Sequence, residues 1–360
     1  MNLYALYKAT ERLYAAGPRL LGGFDGRALP PLQVVLELTY RCNLACEFCY
    51  QRREEDQLGV RSGRDELTPD EVRSIVTQTP PWTLIILSGG ELFVRRDAMD
   101  ILSATVKQRR THVVTNGTCI TPEIAEQIVS IGLTSVGISI EGSREINDRV
   151  RGHNSFARAV AAVNTLLDHK RRRGTRFPLV NLKTTITTTN VGNLEEVLGL
   201  ALEMGVDYCS LQIMNTSVMI SGLYLHSTLE QYGQQPPPIA DFPLDLLEEQ
   251  LRKVKESAAK SGVRLRLSPD LTSRQIRSHY ANQIDLGDYL CLSPWTGMNV
   301  SATGEVFPCL NYRIGSLRDQ RLMELWNGER YREFRRSLLT KGLFAGCRGC
   351  CDLTSRPGRE

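Results

Sequence analysis

The chain has 360 residues, of which 41% are hydrophobic and 23% are charged, a composition that predicts a soluble protein with one large core and a smaller module. The formal net charge of +4 is too small to indicate nucleic-acid binding, which usually needs a clustered basic face. The one dense basic run, from His169 to Arg176, is expected to be a solvated helix face. Nucleic acid is therefore not an expected partner.

Residues 1–30 are predicted to form an amphipathic helical extension. Leu3, Leu6 and Leu13 recur near helical spacing, whereas Lys8 and Glu11 interrupt any signal-peptide core. No segment reaches the roughly 18 apolar residues of a membrane span. We therefore expect a cytoplasmic protein, in which the ten cysteines serve metal chemistry rather than disulfides.

Residues 31–232 alternate between β-rich apolar runs and amphipathic helical segments. The runs are VVLEL, TLIIL, THVVT, SVGISI, VNLKTTIT and CSLQIM. The intervening segments begin with Thr or Asn caps and two of them close at Gly132 or Gly205. Six such units predict an α/β fold, a parallel sheet curled into a partial (β/α)6 TIM-like barrel. Chemistry in such barrels lies at the C-terminal ends of the strands.

The pattern changes after the sixth run. Residues 233–285 are predicted to be a connector, with a stiff proline-rich stretch, a helix from about Leu244 to Ala259 and the short strand VRLRLS. Residues 286–360 are predicted to form a small α+β domain. Its segment GMNVSATGEVFPC has the alternation of a β-hairpin that turns at Thr303 and Gly304.

Three cysteines, Cys42, Cys46 and Cys49, follow the first predicted strand within one short loop. A structural zinc site normally has four protein ligands, and a four-iron cluster normally has four thiolates. Three ligands therefore indicate a site with one open coordination position. Zinc binding and inert thiols are the alternatives that this spacing alone leaves open.

The CxxxCxxC loop resembles the signature of the radical S-adenosylmethionine superfamily, and further motifs along the barrel match it. SGGE ends the second run, TNG ends the third, and SIEG followed by NDRVRG comes after the fourth. Leu92 stands where the family commonly has proline, and Glu141 where it commonly has aspartate. Neither departure involves a cluster ligand.

The resemblance implies a role for each matching residue. Gly89 and Gly90 would expose backbone to S-adenosylmethionine, and Glu91 would accept its methionyl ammonium. Phe48 would lie beside the adenine. The remaining expected cofactor contacts are Asn116 of TNG, and Ser139 and Arg151 near the cofactor's carboxylate and ribose. One electron from a four-iron cluster would then cleave the cofactor, and the 5′-deoxyadenosyl radical would abstract a substrate hydrogen. A flavodoxin or ferredoxin is the implied electron donor.

Cys291, Cys309, Cys347 and Cys350 form a second set near the C-terminus. With the segment MELWNGERYREFRRSL they resemble the auxiliary-cluster domains of the superfamily, called SPASM in the longer form and twitch in the shorter. Because the longer form needs further spaced cysteines, we predict a twitch domain with one auxiliary four-iron cluster. Zinc is the alternative, and the role of Cys351 is left open.

A fully ligated cluster is better suited to accepting an electron than to binding substrate. The expected activity is therefore that of an oxidoreductase that oxidises the substrate radical, with His226 as a candidate base. An epimerase that uses Cys119 as hydrogen donor is an alternative, although an inert core thiol is the more common role for such a cysteine. Cys209 is expected to pack in the core. A cluster-bearing electron-transfer or sensor protein is a further alternative.

The substrate is expected to be a small molecule, such as a sugar, an aminocyclitol or another natural-product intermediate. The N-terminal extension is shorter than the about 80 to 90 residues of a folded leader-peptide domain. Peptide modification is the nearest alternative, since a separate protein could bind the leader.

Overall fold

The structure is a computed structural model that describes residues 10, 12–17, 25–49, 65–216, 239–309, 312–356 and 358. His226 lies outside the described residues, as do most of the predicted N-terminal extension and the start of the proline-rich stretch. Among the residues described, no helix combines the length and the apolar character needed to cross a membrane.

The first part of the chain builds a parallel sheet covered by helices. Its strands, β1 to β7, are Gln33–Glu37, Leu84–Ser88, Thr111–Thr115, Ser135–Ser139, Leu179–Ile186, Tyr208–Ile213 and Arg264–Ser268. Its helices, α1 to α8, are Pro69–Thr77, Ala98–Val106, Pro122–Ser130, Arg144–Arg151, Ser155–Arg173, Leu194–Met204, Leu244–Ser261 and Ser273–Tyr280. Residues 12–17 are also helical. This is the α/β barrel-type architecture that the sequence predicts.

The C-terminal part consists of short elements. Strands β8 to β12 are Tyr289–Cys291, Gly297–Val300, Glu305–Phe307, Gly315–Ser316 and Leu353–Ser355, and helices α9 to α11 are Ser293–Thr296, Leu322–Trp326 and Glu329–Thr340. Short 3-10 turns cover Leu92–Val94, Val191–Asn193, Leu286–Asp288 and Ala345–Gly349. The predicted hairpin is present, because β9 and β10 pair antiparallel.

Two features extend the sheet beyond the six predicted strands. The strand VRLRLS, which the sequence assigns to the connector, is β7 and pairs in parallel with β6. At the other edge β9 pairs in parallel with β1, so the described sheet has the order β11-β10-β9-β1-β2-β3-β4-β5-β6-β7. The sequence predicts VRLRLS as a strand but not its place in the sheet, because its alternating arginines and the proline-rich stretch before it indicate a connector.

The local signals for the helices are largely in place. Thr68 begins α1 in a capping box with Glu71, and Thr121 caps α3 through the amide of Ile124. Gly205 ends α6 in the left-handed conformation. The basic run is mostly exposed, as expected, except that Lys170 is buried and donates to Asp207 at 2.7 Å.

Candidate active site

The three-cysteine loop leaves the C-terminal end of β1, and buried polar contacts hold its first residues. Arg41 donates from Nε and Nη2 to the two oxygens of Glu66, at 3.1 and 2.8 Å. The hydroxyl of Thr39 donates to the same carboxylate. This bidentate ion pair anchors the start of the loop.

Gly89 and Gly90 let the end of β2 pack directly against this loop. A Cβ atom at Gly89 would overlap the carbonyl oxygen of Thr39, and one at Gly90 would overlap that of Arg41. The amide of Gly90 donates to Thr39 at 2.7 Å, and the amide of Glu91 donates to Arg41 at 3.0 Å. The glycines thus fix the loop, a role additional to the predicted exposure of backbone to the cofactor.

Glu91 is completely buried, and its carboxylate is occupied within the protein. It accepts from the hydroxyl of Thr115 at 2.7 and 2.9 Å, from the amide of Asn116 at 2.7 Å and from the amide of Phe93 at 3.1 Å. Burial raises its pKa, against these hydrogen bonds. In this structure Glu91 ties TNG to the GGE turn, and its predicted contact with an ammonium group stays a prediction.

Asn116, in the TNG motif, contacts the three-cysteine loop. Its Nδ2 lies 3.8 Å from Cys42 Sγ and donates to Asn43 Oδ1 at 3.0 Å. Its Oδ1 accepts from the amide of Thr118 at 2.8 Å. Asn116 therefore orients the loop beside the first cysteine.

Arg151 approaches the loop from the opposite side. Its Nη1 lies 3.7 Å from Cys46 Sγ, and its Cζ lies 5.6 Å from the centre of the Phe48 ring. Its Nε donates to Glu141 at 3.0 Å. Glu141 is fully buried and also accepts from the amide of Thr185 at 2.8 Å. Glu141, noted in the sequence only as a departure, is the anchor that aims Arg151 at a thiol.

The three thiols are neighbours. Burial raises the pKa of Cys42 to about 11, and the charges of Cys46 and Cys49 add to the effect. The amide of Cys49 donates to the carbonyl of Cys46 at 3.2 Å, and the amide of Leu44 lies 3.4 Å from Cys42 Sγ. Within the described part of the chain no three His, Cys, Asp or Glu side chains converge tightly enough for a single metal ion.

Two other predicted residues lie at the same end of the barrel. Ser139 is the buried last residue of β4 and is opposite Lys183 in the sheet register. Cys119 is half-buried in the turn that the amide of Ile120 closes onto Gly117, at 3.1 Å. Its role as hydrogen donor stays a prediction. Cys209, in contrast, is completely buried, as expected of a packing residue.

The four C-terminal cysteines converge although they come from three separate segments. Cys291 ends β8, Cys309 follows β10, and the 3-10 turn carries Cys347 and leads into Cys350. The pKa of Cys291 is raised by burial first and then by the charges of Cys347 and Cys309. Cys350 responds in the same way to Cys291 and Cys347. The four thiols are therefore neighbours, and four cysteine thiolates are the donor set of a closed cluster.

Cys351, next to Cys350 in the chain, contacts the barrel. The Nε2 of Gln212, on β6, lies 3.7 Å from Cys351 Sγ. Burial raises the pKa of Cys351 to about 12, while the charge of Lys183 lowers it. The amide of Thr216 also donates to Gly349 at 2.8 Å. The segment that carries Cys350 and Cys351 therefore adjoins β6 of the barrel, which the sequence did not reveal.

A pocket of about 490 Å³ opens beside the three-cysteine loop. Its lining includes Asn43, Leu44, Arg149, Arg151 and Arg158. Arg149 and Arg158 are exposed and outnumber the one acidic lining residue, Glu47, so the surface next to the loop carries a net positive charge.

Two family models match the chain. Residues 36–200 match the radical SAM superfamily, and residues 291–351 match SPASM, described as an iron-sulfur cluster-binding domain. The first range contains the three-cysteine loop, and the second contains the four converging cysteines. The iron-sulfur description favours iron over the zinc alternative at the C-terminal site.

Curated relatives and solved structures agree with these matches. The AdoMet-dependent heme synthase of Methanosarcina barkeri is 29% identical over 342 residues, which cover 88% of this chain and 91% of the relative. The mycofactocin maturase MftC of Mycobacterium tuberculosis is 32% identical over 193 residues, 52% of this chain and 46% of the maturase. That match therefore spans less than half of the maturase. The crystal structure of Streptococcus suis SuiB bound to precursor peptide SuiA superposes with a TM-score of 0.67 and 15% identity, covering 98% of this chain and 76% of SuiB, which supports the fold.

Proposed function

Since the chain is a radical S-adenosylmethionine enzyme with a SPASM iron-sulfur domain, we propose that it is an oxidoreductase that removes a hydrogen atom and then an electron from a small-molecule substrate. The observation that carries this proposal is that two groups of thiols adjoin one barrel interior. The three-cysteine loop reaches it through Arg151 and Glu141, and the segment after the ligand Cys350 reaches it through the contact of Cys351 with Gln212.

The residues of each group have distinct roles in the proposal. Cys42, Cys46 and Cys49 would hold a four-iron cluster with one open iron, and Cys291, Cys309, Cys347 and Cys350 would hold a closed auxiliary cluster. When bound, these clusters and S-adenosylmethionine supply reductive cleavage to a 5′-deoxyadenosyl radical and an acceptor for an electron from the substrate.

The remaining residues position these groups. Gly89 and Gly90 fix the loop backbone, and Asn116 orients it at Cys42. Arg151 places a positive charge beside Cys46. Ser139 and Phe48 are the proposed contacts with the carboxylate or ribose and with the adenine of the cofactor. His226 stays the candidate base and lies outside the described residues.

A small-molecule substrate is supported by the heme synthase of Methanosarcina barkeri, which this chain matches over nearly its whole length. Peptide modification is the second candidate. It is supported by the likeness to SuiB, whose solved structure holds a precursor peptide, and by the partial match to a maturase.

The electron donor is proposed to be a flavodoxin or ferredoxin. The cationic pocket rim at Arg149 and Arg158 supports an acidic partner, because opposite charges steer two proteins together. The rim adjoins the three-cysteine loop, so an electron would have a short path to the cluster.

The test is S-adenosylmethionine cleavage by anaerobically reconstituted protein under reduction. We expect 5′-deoxyadenosine from the wild type and none from a variant with Cys42, Cys46 and Cys49 changed to alanine. Alanine at Cys291, Cys309, Cys347 and Cys350 should spare cleavage but abolish substrate oxidation. Cleavage that survives the first set of changes would overturn the proposal.

A further inference from the structure

The inner face of the last three barrel strands is polar and cationic, whereas their outer face is apolar. Side chains alternate between the faces of a strand. On the outer face Leu182 and Leu211 are buried, and Leu267 packs against the core. The inner face carries Asn181, Lys183 and Thr185 of β5, Tyr208, Ser210 and Gln212 of β6, and Arg264, Arg266 and Ser268 of β7.

Lys183 and Arg266 lie in one row of this face. Lys183 is opposite Ser210, and Ser210 is opposite Arg266. Since neighbouring strands lie about 4.8 Å apart, the two backbone positions are about 10 Å apart. On the other side of Lys183, the same row includes Ser139 of β4, the proposed cofactor contact. The row therefore begins at the cofactor end of the site.

The charges of Lys183 and Arg266 both act on one side chain, His112. The pKa of His112, on β3, falls to about 3, because burial and then the charges of Lys183 and Arg266 disfavour its protonation. Arg266 also lies over the ring of Tyr208, with its Cζ 4.3 Å from the ring centre. That stacking holds a guanidinium that is exposed on the inner face.

The ammonium group of Lys183 has few interactions that would stabilise its positive charge. Among the residues that the structure describes, none forms a hydrogen bond or an ion pair with its ammonium, and burial lowers its pKa. The acidic groups that act on it are Cys351, Asp352 and Glu141. Glu141 is already paired with Arg151, and Asp352 acts on Lys183 through its charge alone. A half-buried ammonium without a hydrogen-bond partner among the described residues is suited to binding an anionic ligand.

We propose that Lys183 and Arg266 form a carboxylate subsite for the substrate. A guanidinium presents a planar fork to a carboxylate, and an ammonium adds a compact charge. The row starts beside Ser139, and Cys351 contacts Gln212 on the strand between the two cations, so an anchored carboxylate would hold the substrate near both cysteine segments. The inference rests on the proposed function, because it places the substrate in the barrel interior. The favoured ligand is a small molecule with several carboxylates. A peptide carboxylate is chemically equivalent and is the second possible ligand.

The test measures binding in the absence of reductant, so that its failure is separate from a failure of cofactor cleavage. The first probe is coproporphyrin III, a tetracarboxylate, titrated by absorbance into reconstituted protein against its neutral tetramethyl ester. The second is a short peptide that ends in a free carboxylate, compared with its C-terminal amide. Cleavage of S-adenosylmethionine by the wild type is assayed in parallel, and only its absence would count against the proposed function.

We expect one acid to bind at least about tenfold more tightly than its neutral analogue, as a charge-assisted hydrogen bond allows. K183M and R266Q should each remove most of that preference, whereas K183R should keep it. Iron content and circular dichroism check that each variant is folded. If K183M does not fold, the acid preference of R266Q, on the exposed edge strand, is the measurement that tests the inference.

A preference in the porphyrin pair assigns the carboxylate to a small molecule, and a preference in the peptide pair alone assigns it to a peptide. Absence of any preference for acid in both pairs overturns the inference. A preference that survives in folded K183M and in R266Q overturns it equally.

Discussion

Arg151 Nη1 lies 3.7 Å from Cys46 Sγ, although the two residues are 105 positions apart in the chain. The buried carboxylate of Glu141 fixes the guanidinium from the other side, with Nε to Oε1 at 3.0 Å. A positive charge held beside a cluster thiolate stabilises the reduced, more negative cluster, because net charge around a cluster sets its potential.

Removing this charge should lower the reduction potential of the cluster at the three-cysteine loop. For R151Q we expect a negative shift on the order of 60 mV, which for one electron is about 1.4 kcal/mol. E141Q removes the opposing charge and should shift the potential in the positive direction. Potentiometric titration followed by electron paramagnetic resonance measures both variants. Shifts of the same sign in both would rule out this electrostatic role for Arg151.

Gly90→Ala should loosen the three-cysteine loop. The added methyl group meets the carbonyl oxygen of Arg41, and such overpacking costs about 1–3 kcal/mol. We expect a lower iron content after reconstitution and a lower Tm. The matched control is Gly199→Ala on the exposed side of α6, where a Cβ meets nothing within 4 Å. That change should stabilise the helix by about 0.5–1 kcal/mol, and equal losses in the two variants would refute a specific role for Gly90.

Buried His279 should make the protein less stable in mild acid. Its Nε2 lies 3.0 Å from the carbonyl oxygen of Met214, and burial lowers its pKa to about 4. The unfolded chain takes up a proton first, near the ordinary value of about 6.5. The contribution of neutral His279 to the free energy of unfolding is therefore present above about pH 6.5 and is lost progressively as the pH falls toward 4.

The measurement is the free energy of unfolding at pH 7.5 and pH 5.5 for the wild type and for H279Q. Glutamine can still donate to Met214 but does not titrate. We expect H279Q to lose about 1 kcal/mol less than the wild type over this interval. His112 adds a similar loss to both proteins. Equal losses in the two proteins would contradict the assignment to His279.

Arg335 in α11 should be intolerant of lysine. It is completely buried, donates to Pro294 at 2.6 Å and to Gly26 at 3.1 Å, and lies about equally close to the rings of Trp326 and Tyr331. Because an ammonium cannot reproduce this planar stack and fork, R335K should destabilise the protein by about 2–4 kcal/mol.

The control for R335K is R336K on the same helix. Arg336 forms a partly exposed ion pair with Glu329, and such pairs contribute little. Chemical denaturation should show a change within about 0.5 kcal/mol for R336K. A similar small change in R335K would show that burial of Arg335 is not a structural requirement.

The sequence was sufficient for features encoded over short distances. The strand before Cys42, the caps at Thr68 and Thr121 and the hairpin at Gly304 each depend on neighbouring residues, and the structure confirms them. The family resemblance then supplied the cofactors and the iron-sulfur character of the C-terminal domain, which the family models support.

Features that depend on distant pairs could not be predicted. Nothing near Glu141 in the sequence shows that it fixes an arginine beside a thiol, and nothing near Lys183 shows that Arg266 shares its row. The sequence likewise predicts β7 as a strand without showing that it pairs with β6, because this pairing joins segments that are distant in the chain. Such contacts are made by the fold rather than by local preference.

The most direct test of the account is the iron, sulfide and zinc content of anaerobically reconstituted protein. We predict about eight irons and no zinc in the wild type, falling to about four with alanine at Cys42, Cys46 and Cys49, and to about four with alanine at Cys291, Cys309, Cys347 and Cys350. One zinc in place of the auxiliary irons, or an iron content unchanged by either set of substitutions, would contradict a radical enzyme with two clusters at one interior.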